Sequence, residues 1–415
     1  MNAGRFPRIS VNRVRIFTLG VLLVASCQRI DRGSESAAMK RYRTLWNETH
    51  DAENEFYTMF KYSAAEGLGF EEGVTRRDPS TVIKVGNKYY VWYTKSCGAP
   101  VGYDKATGEL PATNWDLATI WYATSLDGRR WTEQGMAIGR GEKGSFDDRS
   151  VFTPDILVAE GKYYLYYQAV KAPYKRRTKD VIAMARADSP DGPWTKAAEP
   201  VLKPGKSGQW LGQEDDRNKV KVRGAWDSLK VHDPCLIVRG GKYWLYYKGH
   251  PMGMRFGDLS GEKGIDFAMG VAIAEKPEGP FIKSELNPVT NSGHEVLVWP
   301  YKEGVATLVT RNGPEKNTVQ FARDGLNFEI KSLVTVIPHA AGAYRGDAFT
   351  DTKWGEGITW GLCHIESTSD GPYGFLIRFD CDLSLKEERP GFKRWPPRTK
   401  IETYFQKGNR LEKKM

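Results

Sequence analysis

Asp78, Asp233 and the adjoining pair His294-Glu295 are the residues of this chain best suited to carry chemistry. Asp78 sits in Arg76-Arg77-Asp78-Pro79, Asp233 in His232-Asp233-Pro234, and the pair in Asn291-Ser-Gly-His-Glu295. An ionised carboxylate facing a proton donor is the minimum set for splitting a glycosidic bond: one activates water or attacks, the other protonates the leaving oxygen. The positive charge of Arg76 and Arg77 favours the ionised form of Asp78, which makes it the candidate base. An Asp-Pro step can also do no more than turn the chain, and that alternative is stronger for Asp233. His294 and Glu295 are two possible acids. A histidine donates a proton near neutral pH only when charged, and Asp233 and Glu295 are expected to raise its pKa to that end. His339 and His364 stand in no comparable context. Asp155, in Phe152-Thr-Pro-Asp155, positions a substrate hydroxyl or caps a strand. There is no Ser or Cys nucleophile elbow, no phosphate loop and no His-x-x-x-His pair.

These residues are brought together by a repeated phrase. The stretch Arg77–Tyr93 returns as Thr153–Tyr167 and again as His232–Tyr247, each an apolar run, a Gly-Lys or Asn-Lys turn, and an aromatic run. Each copy reads as a β-hairpin. Unit starts fall at Asp78, Asp155, Asp233, His294-Glu295 and Asp347. A second motif follows at Ile120, Ile182, Val271 and Val319: a strand, a turn with Asp-Gly or Gly-Pro, and an aromatic that opens the next strand. Several hairpins per long period predict an all-β fold, a five-bladed β-propeller whose first strands line the axis. Polar-aromatic segments suit sugar binding, since rings stack on apolar sugar faces and Asn, Asp and Arg bond to hydroxyls. The segments are Thr113–Trp121 and Gly144–Phe152. The predicted binding residues are Arg77, Asn114, Trp115, Thr119, Asp148, Arg149, Asp155 and Glu295.

The net charge of +10 over 415 residues is a property of the ends. Residues 1–26 carry four arginines and no acid, and residues 386–415 carry ten Lys or Arg against four Glu. Residues 27–385 balance, 47 against 47. A nucleic-acid enzyme would hold its excess on the working domain, so no nucleic-acid partner is expected. Basic residues before the short apolar run Ile16–Ala25 predict an export signal over 1–26, too short to span a bilayer. Val24-Ala-Ser-Cys27 has the form of a bacterial lipoprotein cleavage box, which makes Cys27 the expected membrane tether and the periplasm or outer membrane the expected location. Residues 27–75 read as an N-terminal helical arm, 76–385 as the propeller and 386–415 as a basic C-terminal extension. Cys97, Cys235, Cys363 and Cys381 lack metal-site spacing and read as packing residues.

Longer motifs give the chain a family likeness. They are Arg77-Asp-Pro-Ser80, Tyr89-Tyr-Val-Trp-Tyr-Thr-Lys-Ser96, Ala112–Ser125, Asp147–Pro154, Lys230–Leu236, Asn287–Val296 and Gly313–Thr318. Over about residues 34–385 the chain resembles glycoside hydrolase family 117, the exo-acting α-1,3-(3,6-anhydro)-L-galactosidases of agar breakdown that act on neoagarobiose and short neoagaro-oligosaccharides. The resemblance implies an inverting mechanism with Asp78 as base, His294 as general acid, Asp233 tuning that acid, and Glu295 holding acid or sugar. It also implies a homodimer exchanging N-terminal arms. No cofactor is required, and a divalent cation in the channel is left open. The long charged loop Gly205–Lys221 and the basic tail depart from the family pattern, and the family has subgroups without the agar activity. Two rivals remain: a propeller furanosidase or xylosidase using Asp78, Asp155 and Glu295, and a non-catalytic glycan-binding lipoprotein.

Overall fold

The computed structural model describes Ser36 and residues 54–253, 268–345, 355–366, 371–384 and 392. Chain contacts separate Asp51–Pro396 from a unit made of Met1–His50 and Pro397–Met415, of which only Ser36 is described. The expected signal segment, Cys27, most of the helical arm, Asp347 and nearly all of the basic extension lie outside the described residues.

All elements among the described residues are strands. The hairpins read from the sequence form where expected. Lys88–Cys97 pairs with Val74–Arg77 and Ile83–Val85 on one side, then with Thr119–Ser125, which pairs with Trp131–Ile138. The meander repeats as Ser150–Ala159, Lys162–Val170, Asp180–Ala187 and Thr195–Lys196. It repeats again as Lys230–Arg239, Lys242–His250, Ala268–Ala274 and Ile282–Lys283. A single parallel bridge, Lys230 to Asp180, joins these two meanders into one eight-stranded sheet. Val296–Tyr301, Gly304–Val309, Thr318–Ala322 and Glu329–Leu333 form the next. The last holds Gly342–Ala343, Gly357–Ile365 and Phe375–Ser384.

The apolar cores lie between successive meanders, as sheets apolar on both faces require. Ile83 and Trp92 pack on Val151 and Tyr167, Tyr166 and Leu157 on Leu236 and Leu245, and Cys235 and Val271 on Val298 and Val305. Trp299 and Leu308 pack on Ile358 and Phe379, and Trp360 and Leu362 on Val91 and Tyr93. The sequence of contacts therefore returns to its start. Cys235, Cys363 and Cys381 are buried free thiols, whereas Cys97 is exposed, so packing does not account for it.

Where it is described, the expected helical arm is not a helix. Lys61–Ala64 is a strand paired with Phe375–Ser384, so the N-terminal segment completes the last sheet. Burial explains the outcome: Phe56 packs on Tyr301 at 5.1 Å and Phe321 at 5.3 Å, and Phe60 on Phe379 at 6.0 Å. The Phe56 carbonyl accepts from Ser332 Oγ at 2.6 Å, and Asp382 N donates to Thr58 Oγ1 at 2.8 Å. An open edge strand and a ready apolar slot outweigh weak local helix propensity. Phe56→Ala should destabilise the protein by about 3–5 kcal/mol, the usual cost of truncating a buried aromatic. Urea denaturation measures it; a loss under about 1 kcal/mol would mean that this segment is not part of the cooperative unit.

Candidate functional site

The strands that open the first three meanders share a backbone device. Asp78, Thr153 and Asp233, each followed by proline, take left-handed φ values of 49°, 49° and 50°. Such φ values in non-glycine residues cost about 1–3 kcal/mol and cluster at functional sites. The ladder shifts register between Phe152 and Asp155 and between His232 and Cys235, so the strand bulges there. A bulge re-aims a side chain out of the alternation of the sheet. The structural equivalent of Asp78 and Asp233 is therefore Thr153, not Asp155.

Asp78, Asp233, His294 and Glu295 line one cavity of about 770 Å³, together with Arg77 and Trp115. That volume suits a small ligand. Six cationic and seven anionic side chains line it, so the cavity is nearly neutral and fits an uncharged ligand. The Asp78 carboxylate is 5 % exposed by residue and accepts from Arg77 Nε at 2.9 Å and from the Thr94 and Thr153 hydroxyls at 3.3 Å each. Its amide donates to His364 Nδ1 at 3.2 Å, which leaves the proton of that ring on Nε2. Burial opposes the charge of Arg77, but Asp78, with Glu366 and Glu295 behind it, overrides burial and raises its pKa. The Arg77 guanidinium also stacks on Trp115, 4.8 Å from the ring centroid.

Asp233 is ion-paired with Lys248 and lies 3.5 Å from His232 Nδ1. Glu295 Oε2 accepts from Thr310 Oγ1 at 3.1 Å, and its Oε1 is 3.6 Å from His294 Nε2. His294 Nδ1 bonds to Asn312 Oδ1 at 3.1 Å; an amide oxygen only accepts, so Nδ1 carries a proton and Nε2 is the variable position. The expected upward shift of His294 does not occur. Burial, then Lys248, lower its pKa, and Glu295 and Asp233 offset them only in part. Burial and Lys248 went unweighed in the sequence, and with Arg311 they outweigh the two carboxylates. For Glu295, burial favours the neutral form, but His294 and Lys248 override it and lower the pKa.

The other predicted binding residues lie elsewhere. Asp155 accepts from the amides of Thr81 and Leu236, both at 2.9 Å, stitching neighbouring meanders together beside a channel of about 30 Å³. Arg149 forms a buried ion pair with Asp116. Asp148 accepts from the amides of Gly144 and Ala172. The Asn114 side chain donates to Pro372 O at 2.9 Å, and the Thr119 hydroxyl accepts from Trp121 Nε1 at 3.0 Å. None of these five lines the main cavity. Among the described residues no group of three or more His, Cys, Asp or Glu is arranged to hold a metal ion.

Sequence reading missed the inward polar residue near the end of each hairpin's second strand. The polar residue after each aromatic or apolar run points inward: Thr94 meets Asp78, Gln168 meets Asp180 at 2.6 Å, Lys248 meets Asp233, and Thr310 meets Glu295. The signal was present in Trp-Tyr-Thr94, Tyr-Tyr-Gln168 and Tyr-Tyr-Lys248. Lys230 is a second missed cation, 2.9 Å from Asp180.

Comparison with known proteins follows the same direction. A family profile described as glycosyl hydrolases family 43 matches residues 73–211. A family 117 glycoside hydrolase produced by the marine bacterium Zobellia galactanivorans is 44 % identical, with a TM-score of 0.70 over 85 % of this chain and 98 % of that one. A protein solved as an RGII complex is 12 % identical, with a TM-score of 0.53 over 85 % of this chain and 96 % of that one. A further glycoside hydrolase is 11 % identical, with a TM-score of 0.53 over 84 % and 95 %. The last two likenesses concern the fold alone, a propeller-like arrangement of sheets. No curated protein matches the chain.

Proposed function

The chain belongs to glycoside hydrolase family 117, and from that premise we propose that it is an exo-acting, inverting enzyme. Its substrate in this reading is neoagarobiose or a short neoagaro-oligosaccharide, from whose non-reducing end it releases α-1,3-linked 3,6-anhydro-L-galactose. The meanders are read as five blades of a propeller, with the cavity at the axial mouth. The carrying observation is that Asp78 and the pair His294-Glu295, from remote parts of the sequence, share one nearly neutral cavity. Asp78 takes the proton of water as it attacks the anomeric carbon, with Arg77 and the Thr94 and Thr153 hydroxyls holding its carboxylate. His294 Nε2 protonates the departing oxygen, and Asn312 fixes its ring. Asp233 and Lys248 set the charge around that ring. In this reading no cofactor is required, and a divalent cation in the channel is left open.

The rival set Asp78, Asp155 and Glu295 is disfavoured because both Asp155 oxygens are engaged by backbone amides. Export, lipidation at Cys27 and a homodimer held by the 34–62 arm belong to the same reading. They rest on the sequence pattern.

Incubation with neoagarobiose, followed by proton NMR from the first minutes, tests the reading. Galactose and anhydrogalactose should appear together, the latter first as the inverted anomer. A retained first anomer would remove the inverting mechanism, and turnover of a pentofuranoside with no action on neoagarobiose would remove the substrate.

A further inference from the structure

The strands Ser207–Trp210 and Val220–Gly224 form a two-stranded sheet that joins none of the meanders. An isolated hairpin is marginal in water, so something else must hold it. Lys179 bonds to Ser207 and the Gly208 amide to Met252 Sδ at one end, and Arg177 holds the other. Its guanidinium donates to the carbonyls of Gly212 and Asp216 at 3.0 Å each and of Leu211 and Lys219 at 3.3 Å each. It also stacks over Trp210, 4.5 Å from the ring centroid. From the same turn, the amides of Arg176 and Arg177 donate to the two oxygens of Asp215 at 2.9 and 3.0 Å. Arg176 then clasps Asp104 through two bonds of 2.8 and 2.9 Å.

Three loops are thereby tied into one collar. Its tip, Asp215 to Asn218, lines the main cavity, and so do Tyr103 and Tyr174 below it. Trp115 Nε1 donates to the Tyr174 hydroxyl at 2.9 Å, so two aromatic groups form a fixed platform. The carboxylates of Asp78, Asp233 and Glu295 are buried at the floor, whereas Asp215 to Arg217 are half-buried and Asn218 exposed, at the rim. In an exo-hydrolase the terminal sugar goes to the floor and the leaving sugar remains toward the rim.

The geometry points to the collar as the binding wall for the leaving sugar, a neutral hexopyranose, with Arg177 as the positioning residue that keeps the wall in place. This rests on the exo-glycosidase reading above. Aromatic rings beneath and the polar groups of Asp216, Arg217 and Asn218 above are the chemistry that recognises a pyranose ring and its hydroxyls. A preformed wall lowers the ordering cost of binding, so loosening it weakens binding more than it slows chemistry.

Arg177→Ala and Asn218→Ala are the test variants. The first removes the clamp and the second changes the rim with the clamp intact. Each is assayed on neoagarobiose and, separately, for galactose binding by calorimetry. Arg177→Ala should raise KM about 10-fold and weaken galactose by a similar factor, with kcat within about twofold. Asn218→Ala should move both in the same direction, by about threefold, and decides the matter if the first variant melts early. Unchanged KM and galactose affinity in the folded variants would overturn the proposal, as would a wild type that binds no galactose. Weakened galactose binding alongside a wild type inert toward neoagarobiose would keep the collar and sink the substrate assignment instead.

Discussion

Asp78→Asn should reduce kcat/KM on every substrate by about 10³–10⁴, at the upper end of what general-base catalysis contributes. The substitution keeps the shape of the side chain. An amide oxygen still accepts from Thr94 and Thr153, now 3.3 Å away, and asparagine tolerates the left-handed φ of 49° better than most residues. What goes is the negative charge that takes the proton from water. Because water must be activated whatever departs, a leaving group that needs no proton cannot rescue the variant. Binding should survive, so the variant should still capture intact neoagarobiose in calorimetry. Arg77 loses its ion-pair partner but keeps Trp115 and the more distant Glu295 and Glu366, which limits the damage to stability. A folded variant that retains more than a tenth of the activity would reduce Asp78 to a turn-forming residue.

The hairpins and the all-β character were legible because each repeat carries two independent signals, alternating apolar residues and a turn dipeptide. The matching placement of Asp78 and Asp233 was legible too: both precede proline in matching phrases, and both line the main cavity. Asp155 was misaligned because its own phrase puts threonine before proline. The chain marks the position by the following proline and by backbone conformation rather than by charge. Asp148, Arg149 and Thr119 lie away from the main cavity for a different reason. Polar residues inside β-rich segments must satisfy neighbouring amides before they can serve a ligand, and sequence spacing does not reveal those partners. The described end of the arm departs from its helical composition because the edge of Phe375–Ser384 that captures Lys61–Ala64 is remote in sequence.

His294→Ala should be selective where Asp78→Asn is not. On neoagarobiose, whose sugar leaving group must be protonated, it should cost about 10²–10⁴-fold. On a nitrophenyl glycoside that the cavity accepts, the loss should be under about tenfold, because nitrophenolate leaves unaided. The pH profile carries the second half of the argument. Burial and Lys248 hold the pKa of His294 below the ordinary 6.5 in the free protein. A group with a lowered pKa is protonated only at lower pH, so the acid form is lost as pH rises through that lowered value. The alkaline limb of kcat/KM on neoagarobiose should therefore fall below about pH 6.5. It should be missing on the nitrophenyl substrate. Lys248→Met takes away the larger of the two cationic influences, Lys248 and Arg311, that join burial in lowering the pKa, so it should move that limb upward in pH. Glu295 is the poorer donor, because its own pKa is also lowered, from a starting value well beneath that of histidine. Equal losses on both substrates in His294→Ala would assign the ring to sugar positioning and pass the role of acid to Glu295, for which Glu295→Gln would then show the selective pattern.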